Sequence, residues 1–393
     1  MIQDLTLEQT IELLTSNVNL IDDTEEINIL EAVRRVSAAV VKAKFDNPPF
    51  DRSPLDGYAV NSAQTPGKFK IIGEECAGDF FDGELKTGEA LRIMTGAAMP
   101  KGSDCVIRQE DVLIDGDELN VPYSLKHHEN YCFAGEDIKA DSILIQKNQT
   151  LNAAHIAVLA SQGFSKVKVR RLPKIAIAST GDELLMPGVE LKSGKIYNSN
   201  LYLIAARLKE LGFAPKVIGI LPDDVSKAAE VINDHKNDFD LFITTGGVSV
   251  GKKDIMHAVV KSVGEKLFWR VKMKPGAPAI GYKAGDMLGI ALSGNPFAAY
   301  ATFELLTRPV LAKLSGRDEV MYQRGEGVLL DDFPKISKGR RFIRAHYKNG
   351  EIKLPEQHAS GSLFSAANCN AFVDIPADSD KLSAGTKVEV VIL

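Results

Sequence analysis

The residues best suited to chemistry form a glycine-rich segment, TTGGVSVGKKD, at residues 244–254. Glycine lets the backbone adopt positive φ and approach a ligand closely, so the N–H groups of Gly246, Gly247 and Gly251 can point at phosphate oxygens. The segment lacks the GK[ST] of a Walker loop and the GxGxxG of a dinucleotide fold. Its spacing alone therefore indicates either an anion-binding loop or a tight turn.

Acidic residues lie at the end of this segment and at the ends of other predicted strands. Glu183, Asp223 and Asp254 are candidate ligands of Mg²⁺, which prefers a few carboxylates together with substrate phosphate. The alternative is helix capping, because Asp223 and Asp224 directly precede a predicted helix.

Positive charge is concentrated in the segment FWRVKMKPG, where Arg270, Lys272 and Lys274 alternate. Alternate residues of a strand project to one face, and three like charges on one face favour an anionic partner. Arg340, Arg341 and Arg344 form a second basic group. A solvated surface explains this group as well as an anionic partner does.

Two further segments place polar residues inside apolar, glycine-bounded runs. Asp56 lies in SPLDGYAV and Thr95 in RIMTGAAMPKGSDCV. Either residue would be unusual in a core unless it were hydrogen-bonded, so turn positions are the simpler interpretation of each.

The composition sets the class of protein. With 393 residues, 45% hydrophobic and 25% charged, the chain is expected to form two to four globular domains. A net charge of −5 argues against nucleic-acid binding. The N-terminus lacks the features of a signal peptide, and polar residues interrupt the most apolar stretch, so no membrane span is expected. Four cysteines without a CxxC pair fit a reducing cytoplasm.

The order of predicted elements indicates how these residues are positioned. Helices are predicted at residues 5–15, 25–36 and 152–162, and a mostly β region at residues 42–141. From residue 173, strands and helices alternate as in a parallel α/β sheet, and a small barrel or sandwich follows residue 316. Ligands bind at the carboxyl ends of parallel strands. Residues 181–183, 223–224, 246–251 and 293–296 are therefore expected to lie on one edge.

Taken in order, the segments resemble the molybdopterin molybdenumtransferases of the MoeA family over nearly the whole chain. The similar segments include DNPPFDRSPLDGYAV, RIMTGAAMPKGSDCVI, GEDI, STGDEL, IYNSN, LPDD, TTGGVSVGKKD, FWRVKMKPGAP, LSGNP and GSLFSAANC. STGDEL and GGVSVG, followed in order by KPGAP and GNP, form a specific combination.

The resemblance implies a multidomain α/β fold. Its parts would be a molybdopterin-binding parallel-sheet α/β domain at residues 1–23 and 171–318, a small linking α/β domain at residues 24–42 and 142–170, an inserted mostly β domain at residues 43–141, and a C-terminal β-barrel at residues 319–393. It also implies a homodimer in which the second subunit partly completes the cleft.

The implied reaction is a late step of molybdenum cofactor synthesis in the cytoplasm. Such enzymes bind adenylylated molybdopterin, accept molybdate, cleave the phosphoanhydride with Mg²⁺, and release molybdenum cofactor and AMP. The expected partners are these small molecules, a second subunit and other cofactor-synthesis proteins, without nucleic acid or membrane.

The resemblance also assigns roles to particular residues. The catalytic positions would be Asp56, Thr95, Asp137, Glu183, Asp223 and Asp254, of which Glu183, Asp223 and Asp254 would bind the metal. The substrate-binding positions would be Gly246, Gly247, Ser249, Gly251, Arg270, Lys274, Ser293, Asn295, Arg344 and Ser362. The chain departs from the family at Ser53-Pro54-Leu55, at Arg270, and at Cys132-Phe133-Ala134 before GEDI.

These roles are chemically consistent. Molybdate is a dianion that Arg270, Lys274 and Arg344 can hold while Ser362 donates a hydrogen bond. The pterin dithiolene supplies sulfur to molybdenum, so clustered cysteines are not needed.

Two other functions are compatible with parts of the sequence. A molybdopterin adenylyltransferase resembles only residues 173–316, and the flanking regions weigh against it. A non-catalytic scaffold like the gephyrin relatives would not need the acidic and basic positions, which are all filled.

Overall fold

The structure is a computed structural model that describes residues 2–251 and 254–393; Lys252 and Lys253 of the glycine-rich segment lie outside the described residues. The chain divides into two compact units. Unit 1 comprises Met1–Glu25, Arg34–Val36 and Arg170–Leu393, and unit 2 comprises Glu26–Val33 and Ser37–Val169. The predicted boundaries of four domains stay a prediction.

Most of the regular elements match the predicted order. Up to residue 170 they are β1 (Ile2–Leu5), α1 (Leu7–Ser16), β2 (Thr24–Asn28), β3 (Val41–Lys42), β4 (Gly57–Val60), β5 (Gly67–Glu75), β6 (Glu89–Ile93), β7 (Cys105–Arg108), β8 (Leu113–Asp115), β9 (Glu118–Val121), β10 (Ile143–Ile145), α2 (Ala153–Ser161) and β11 (Lys166–Arg170). From there to residue 315 they are β12 (Ile175–Thr180), β13 (Leu184–Leu185), β14 (Ile196–Tyr197), α3 (Ser199–Glu210), β15 (Lys216–Leu221), α4 (Val225–His235), β16 (Leu241–Thr245), α5 (Met256–Val263), β17 (Glu265–Val271), β18 (Ile280–Ala284), β19 (Met287–Leu292), α6 (Pro296–Thr302) and α7 (Arg308–Ser315). The last strands are β20 (Gln323–Leu329), β21 (Arg341–Lys348), β22 (Glu351–Lys353), β23 (Ala371–Ile375) and β24 (Lys387–Ile392).

Unit 1 is built on a seven-stranded sheet with the order β1-β17-β18-β19-β16-β12-β15. The strands β19, β16, β12 and β15 are adjacent and parallel, which confirms the predicted parallel α/β sheet. Only β18 runs antiparallel to its neighbours. Two residues, Gly285 and Asp286, join it to β19, and so short a connection permits a hairpin but not a crossover.

Both faces of this sheet are covered by helices, as the alternation of side chains along β12 shows. Ile175 and Ile177 belong to the core formed with α1 and α3, whereas Ala176 and Ala178 belong to the core formed with α4 and α5. Because both faces are buried, the strands are continuously apolar and polar residues begin where each strand ends.

The prediction of a helix at residues 25–36 is wrong. These residues form β2 and a short 3-10 helix at Ile29–Ala32. The Asn28 side chain accepts a hydrogen bond from the Leu30 N–H at 3.0 Å and starts the 3-10 turn. Leu30, one of the residues of the predicted apolar face, is 76% exposed. The apolar spacing there thus did not reflect a buried face.

Residues 296–315 form a helical stretch that contains a π-helical turn, Phe303–Thr307, between α6 and α7. Glu304 in this turn is fully buried and is paired with Arg207 at 2.6 Å and with Arg308 at 2.8 Å. The two arginines supply the opposite charge and the hydrogen bonds that a buried carboxylate needs.

The C-terminal strands form a closed barrel, β20-β22-β21-β23-β24, which confirms the predicted barrel. The start of β21 contacts the connection between β17 and β18. The Lys274 N–H donates to the Arg340 carbonyl at 2.9 Å, and the Phe342 N–H donates to the Lys274 carbonyl at 2.7 Å. The barrel therefore fixes the backbone of Lys274.

Unit 2 contains a six-stranded sheet, β7-β4-β6-β5-β9-β8, consistent with the predicted β region. It also contains α2, which Asn152 caps as its sequence position predicts. Among the described residues of the whole chain, no helix combines the length and apolar composition needed to cross a membrane.

Candidate functional site

The strands β15, β12, β16 and β19 end beside one another and open into a single cleft of about 770 Å³. The residue directly after each strand either lines the cleft or begins a loop that lines it. The predicted site residues in this lining are Glu183, Asp223, Asp254, Gly246, Gly247, Ser249, Lys274, Ser293 and Asn295. The expectation that the strand ends converge is confirmed.

The loop after β16, residues 246–251, needs glycine at its first two positions. Gly246 and Gly247 have φ of +94° and +68°. A Cβ at Gly246 would lie 2.7 Å from the Thr180 carbonyl oxygen, and one at Gly247 would lie 2.8 Å from the Thr180 Oγ1. The backbone is anchored where the Gly246 N–H donates to Leu292 O at 3.0 Å and the Met256 N–H donates to Gly247 O at 3.1 Å. The first two residues of the loop are therefore held by the end of β19 and the start of α5.

The three candidate metal ligands line the cleft in different ways. The Glu183 carboxylate lies against Gly181, where a Cβ would be 2.7 Å from Oε1. Asp254 Oδ2 accepts the Gly251 N–H at 2.5 Å, and Asp223 Oδ2 accepts the Asp182 N–H at 3.1 Å. Within residues 2–251 and 254–393, no group of three or more His, Cys, Asp or Glu side chains could hold a metal alone. The metal set stays a prediction.

The neighbouring residues Asp223 and Asp224 have separate roles in the structure. Asp224 caps α4, because its Oδ1 accepts the Lys227 N–H at 3.0 Å and the Ser226 hydroxyl at 2.9 Å. The Lys227 N–H, followed by the Ser226 hydroxyl, lowers the pKa of Asp224. Asp223 instead lines the cleft. The capping alternative thus applies to Asp224.

Beside the glycine loop, the cleft wall is formed by the segment after β19, because β16 and β19 are adjacent strands. The Asn200 Nδ2 donates to the Gly294 carbonyl at 2.7 Å, and the Asn295 Nδ2 donates to the Ser360 Oγ at 3.4 Å. Asn200 and Ser360 line the cleft but were not predicted as site residues. Asn200 lies in the quoted IYNSN segment, whereas Ser360 gave no signal beyond its place beside GSLF.

Arg270 belongs to a second groove of about 990 Å³, which it shares with Lys272 and Lys274. The three basic residues therefore share a face as predicted, although β17 ends at Val271 and Arg270 has a φ of +71°. Arg270 Nε lies 3.5 Å from Asp4 Oδ1. Of these three basic residues, Lys274 alone also lines the cleft.

Arg344 is fully buried and holds the loop that contains Ser362. Its guanidinium donates to the Ser362 carbonyl, to the Ser365 Oγ at 2.6 Å and to the Ala359 carbonyl at 2.5 Å, and it stacks on Phe297. Neither Arg344 nor Ser362 is among the residues that line the cleft. Their roles in binding molybdate stay predictions.

The remaining predicted residues lie in unit 2. The Thr95 N–H and hydroxyl both donate to Asp56 Oδ1 at 2.7 Å, and the pKa of Asp56 is lowered first by that N–H and then by that hydroxyl. Both side chains are exposed rather than in the core. The Asp137 Oδ2 accepts the Asn47 Nδ2 at 3.1 Å. An exposed, ionised Asp56 is compatible with a functional role.

Three family profiles match successive parts of the chain. The MoeA N-terminal region (domain I and II) matches residues 5–163, a probable molybdopterin binding domain matches residues 176–313, and the MoeA C-terminal region (domain IV) matches residues 326–393. The middle profile includes the strands and loops that form most of the cleft.

Similar proteins cover nearly the whole chain. The molybdopterin molybdenumtransferase of Staphylococcus epidermidis is 35% identical over 379 residues, which are 93% of this chain and 90% of that protein. The enzyme of the same name from Staphylococcus aureus is 34% identical over 375 residues, 92% of this chain and 89% of that protein. The crystal structure of the molybdopterin biosynthesis MoeA protein from Pyrococcus horikosii has a TM-score of 0.85 at 30% identity and covers 99% of both chains.

Proposed function

Because the chain belongs to the MoeA family, we propose that it is a molybdopterin molybdenumtransferase that acts in molybdenum cofactor biosynthesis. The proposed substrates are adenylylated molybdopterin and molybdate, and the proposed products are molybdenum cofactor and AMP. The observation that carries the proposal is the cleft, where four parallel strand ends bring a glycine loop, three carboxylates and Lys274 together.

The glycine loop is suited to the phosphates of the adenylylated substrate. Its backbone N–H groups can donate to phosphate oxygens without side-chain hindrance, because Gly246 and Gly247 carry no Cβ. Lys274 in the lining of the same cleft supplies positive charge that attracts molybdate and the phosphate groups. Since the barrel strand β21 fixes its backbone, Lys274 is presented with little freedom to move away.

Mg²⁺ fits this donor set in part. The ion commonly takes one or two protein carboxylates and completes its shell with substrate phosphate and water, so a protein site that lacks a full cage is adequate. Glu183, Asp223 and Asp254 would hold it. When bound, Mg²⁺ neutralises phosphate charge and so assists cleavage of the P–O bond.

Arg270, Arg344 and Ser362 remain the proposed molybdate contacts outside the cleft lining. The Nε of Arg344 is buried, and among the described residues it has no hydrogen-bond partner. A buried, unsatisfied charged donor is costly, so an oxyanion at this position would satisfy it. Asp56, Thr95 and Asp137 complete the proposed catalytic set, and a homodimer in the cytoplasm is the proposed assembly and location.

The adenylyltransferase alternative is weaker than this proposal. Profiles of MoeA N-terminal and C-terminal regions match the segments on both sides of the α/β domain. An adenylyltransferase would resemble only that domain.

The test is AMP release from adenylylated molybdopterin in the presence of molybdate and Mg²⁺. We expect Asp223→Ala and Asp254→Ala to lose release while the melting temperature stays near that of the wild type. Glu230→Ala is the matched control, because this acidic residue lies exposed on α4, outside the cleft lining. Unchanged release in both cleft variants would refute a catalytic role of these two acids, and absence of release by the wild type would favour the scaffold.

A further inference from the structure

The only tryptophan of the chain, Trp269, contacts the glycine loop from outside the cleft. Its Nε1–H donates to the Val248 carbonyl at 3.2 Å. Its ring packs edge-on against His257 in the first turn of α5, with ring centroids 4.8 Å apart and planes at 82°. Trp269 does not line the cleft, so any effect on a ligand must act through the loop.

The geometry of one peptide unit connects this contact with the cleft. The Val248 carbonyl and the Ser249 N–H belong to the same planar trans peptide and point in opposite directions. The Val248 side chain is 2% exposed in the core, whereas Ser249 lines the cleft. Holding the carbonyl on the Trp269 side therefore directs the Ser249 N–H away from Trp269.

The loop keeps donors available for a ligand. Over residues 2–251 and 254–393, the N–H groups of Gly247 and Ser249 donate to no protein acceptor. Gly247 is half-buried and Ser249 is exposed at the cleft, so both N–H groups are accessible to an anionic ligand.

His257 and Lys266 hold the indole ring in place. Lys266 Nζ lies 3.1 Å from His257 Nδ1, and because an ammonium group can only donate, Nδ1 accepts and Nε2 carries the ring proton. Burial, and then the charge of Lys266, lower the pKa of His257. A neutral imidazole thus packs against the indole. We call Trp269, His257 and Lys266 the indole brace.

We propose that Trp269 is a positioning residue for the cleft: through Val248 it orients the Ser249 N–H toward an anionic group of the bound ligand, a phosphate of a nucleotide-like molecule. This inference rests on the proposed function in taking the cleft as the substrate site. It adds a residue that touches no substrate but determines how well the loop binds one.

The test compares Trp269→Phe with Phe239→Leu. Trp269→Phe keeps an aromatic ring but removes the N–H. Phe239 is a matched control, because it is also half-buried, packs against the same core and contacts a histidine edge-on, His235 at 5.6 Å, but makes no contact with the loop. The measurements are the Kd for AMP with Mg²⁺ by calorimetry, the KM and kcat of AMP release, and the melting temperature.

We expect Trp269→Phe to raise the Kd and the KM by roughly three- to tenfold, the effect of one hydrogen bond, with kcat nearly unchanged. Phe239→Leu should leave both constants as in the wild type. Equal AMP affinity in wild type and Trp269→Phe would refute the proposed role of the indole brace in binding while leaving the proposed function intact. Absence of AMP binding by the wild type would also overturn the role of the brace, whereas absence of AMP release by the wild type would overturn the proposed function.

A measurement on the unaltered protein makes the inference independent of any variant's folding. One tryptophan gives one indole N–H resonance, so its hydrogen exchange reports the bond to Val248 directly. We expect exchange to be clearly slower than in free tryptophan and slower still with AMP bound. Exchange at the rate of free tryptophan would overturn the brace.

Discussion

The position of Gly246 makes a demanding prediction about how the glycine loop is built. Its φ of +94° lies in the region that favours glycine, and a Cβ would lie 2.7 Å from the Thr180 carbonyl oxygen and 2.9 Å from the Thr180 Oγ1. The hydroxyl can rotate, but the carbonyl belongs to the end of β12 and is fixed by the sheet. Gly246→Ala must therefore strain the loop or displace it.

The cost has two parts. A non-glycine residue at positive φ costs about 1–2 kcal/mol, and overpacking against fixed backbone costs about 1–3 kcal/mol. Their sum, roughly 2–5 kcal/mol, is a large part of the roughly 5–15 kcal/mol that stabilises a typical folded domain. The loop can escape some of this cost only by moving, and then its N–H groups no longer face the ligand.

Gly294→Ala is the matched control in the neighbouring segment of the cleft wall. Its Cβ would lie 3.5 Å from the Gly246 Cα, an ordinary contact, and its φ is not positive. Scanning calorimetry should show a clearly lower melting temperature for Gly246→Ala than for Gly294→Ala, which stays near the wild type. AMP affinity should also fall in Gly246→Ala. Equal melting temperatures for the two variants would refute the strained, fixed loop.

Three other predictions concern the acids of unit 1. Asp254→Asn keeps an acceptor for the Gly251 N–H but removes the charge. The Mg²⁺ concentration for half-maximal AMP release should therefore rise by roughly tenfold or more, equivalent to about 1.4 kcal/mol of binding free energy, with no change in melting temperature. An unchanged Mg²⁺ requirement would exclude Asp254 as a ligand. Asp224→Ala removes the cap of α4. Because the pKa of Asp224 is lowered in the fold, the ionised cap stabilises the protein above the ordinary pKa of about 3.8, and this stabilisation is lost as the pH falls further. The difference in melting temperature from the wild type should therefore be present at neutral pH and vanish in acid, and a difference that grows in acid would contradict the prediction. Glu304→Gln leaves Arg207 and Arg308 without their buried carboxylate and should lower the free energy of unfolding of unit 1 by roughly 3–5 kcal/mol in thermal unfolding. A loss below about 1 kcal/mol would show that the two ion pairs of Glu304 are not needed for stability.

The sequence predicted the site best where local signals and sheet geometry agree. Continuous apolar runs predicted β12, β16 and β19, and the rule that ligands bind at carboxyl strand ends then placed Glu183, Asp223 and Gly246 on one edge. Caps at Asn152, Asn198 and Asp224 also follow their local sequence. These features depend on few residues close together in the chain.

Features that depend on distant contacts were not predictable in this way. Alternation placed Arg270 with Lys274, and they do share a groove, but only the fold shows that Arg270 does not line the cleft. The buried position of Arg344 arises from carbonyls of residues 359–362 and the ring of Phe297, which nothing near Arg344 in sequence indicates. The contact of Trp269 with Val248 joins residues 21 apart through the packing of α5.

The most direct test of the proposed function is the amount of AMP released from adenylylated molybdopterin by the purified protein, with and without molybdate, at fixed Mg²⁺. The cleft chemistry predicts that molybdate triggers AMP release together with formation of molybdenum cofactor. Absence of AMP release with molybdate, or formation of adenylylated molybdopterin from molybdopterin and ATP, would contradict it.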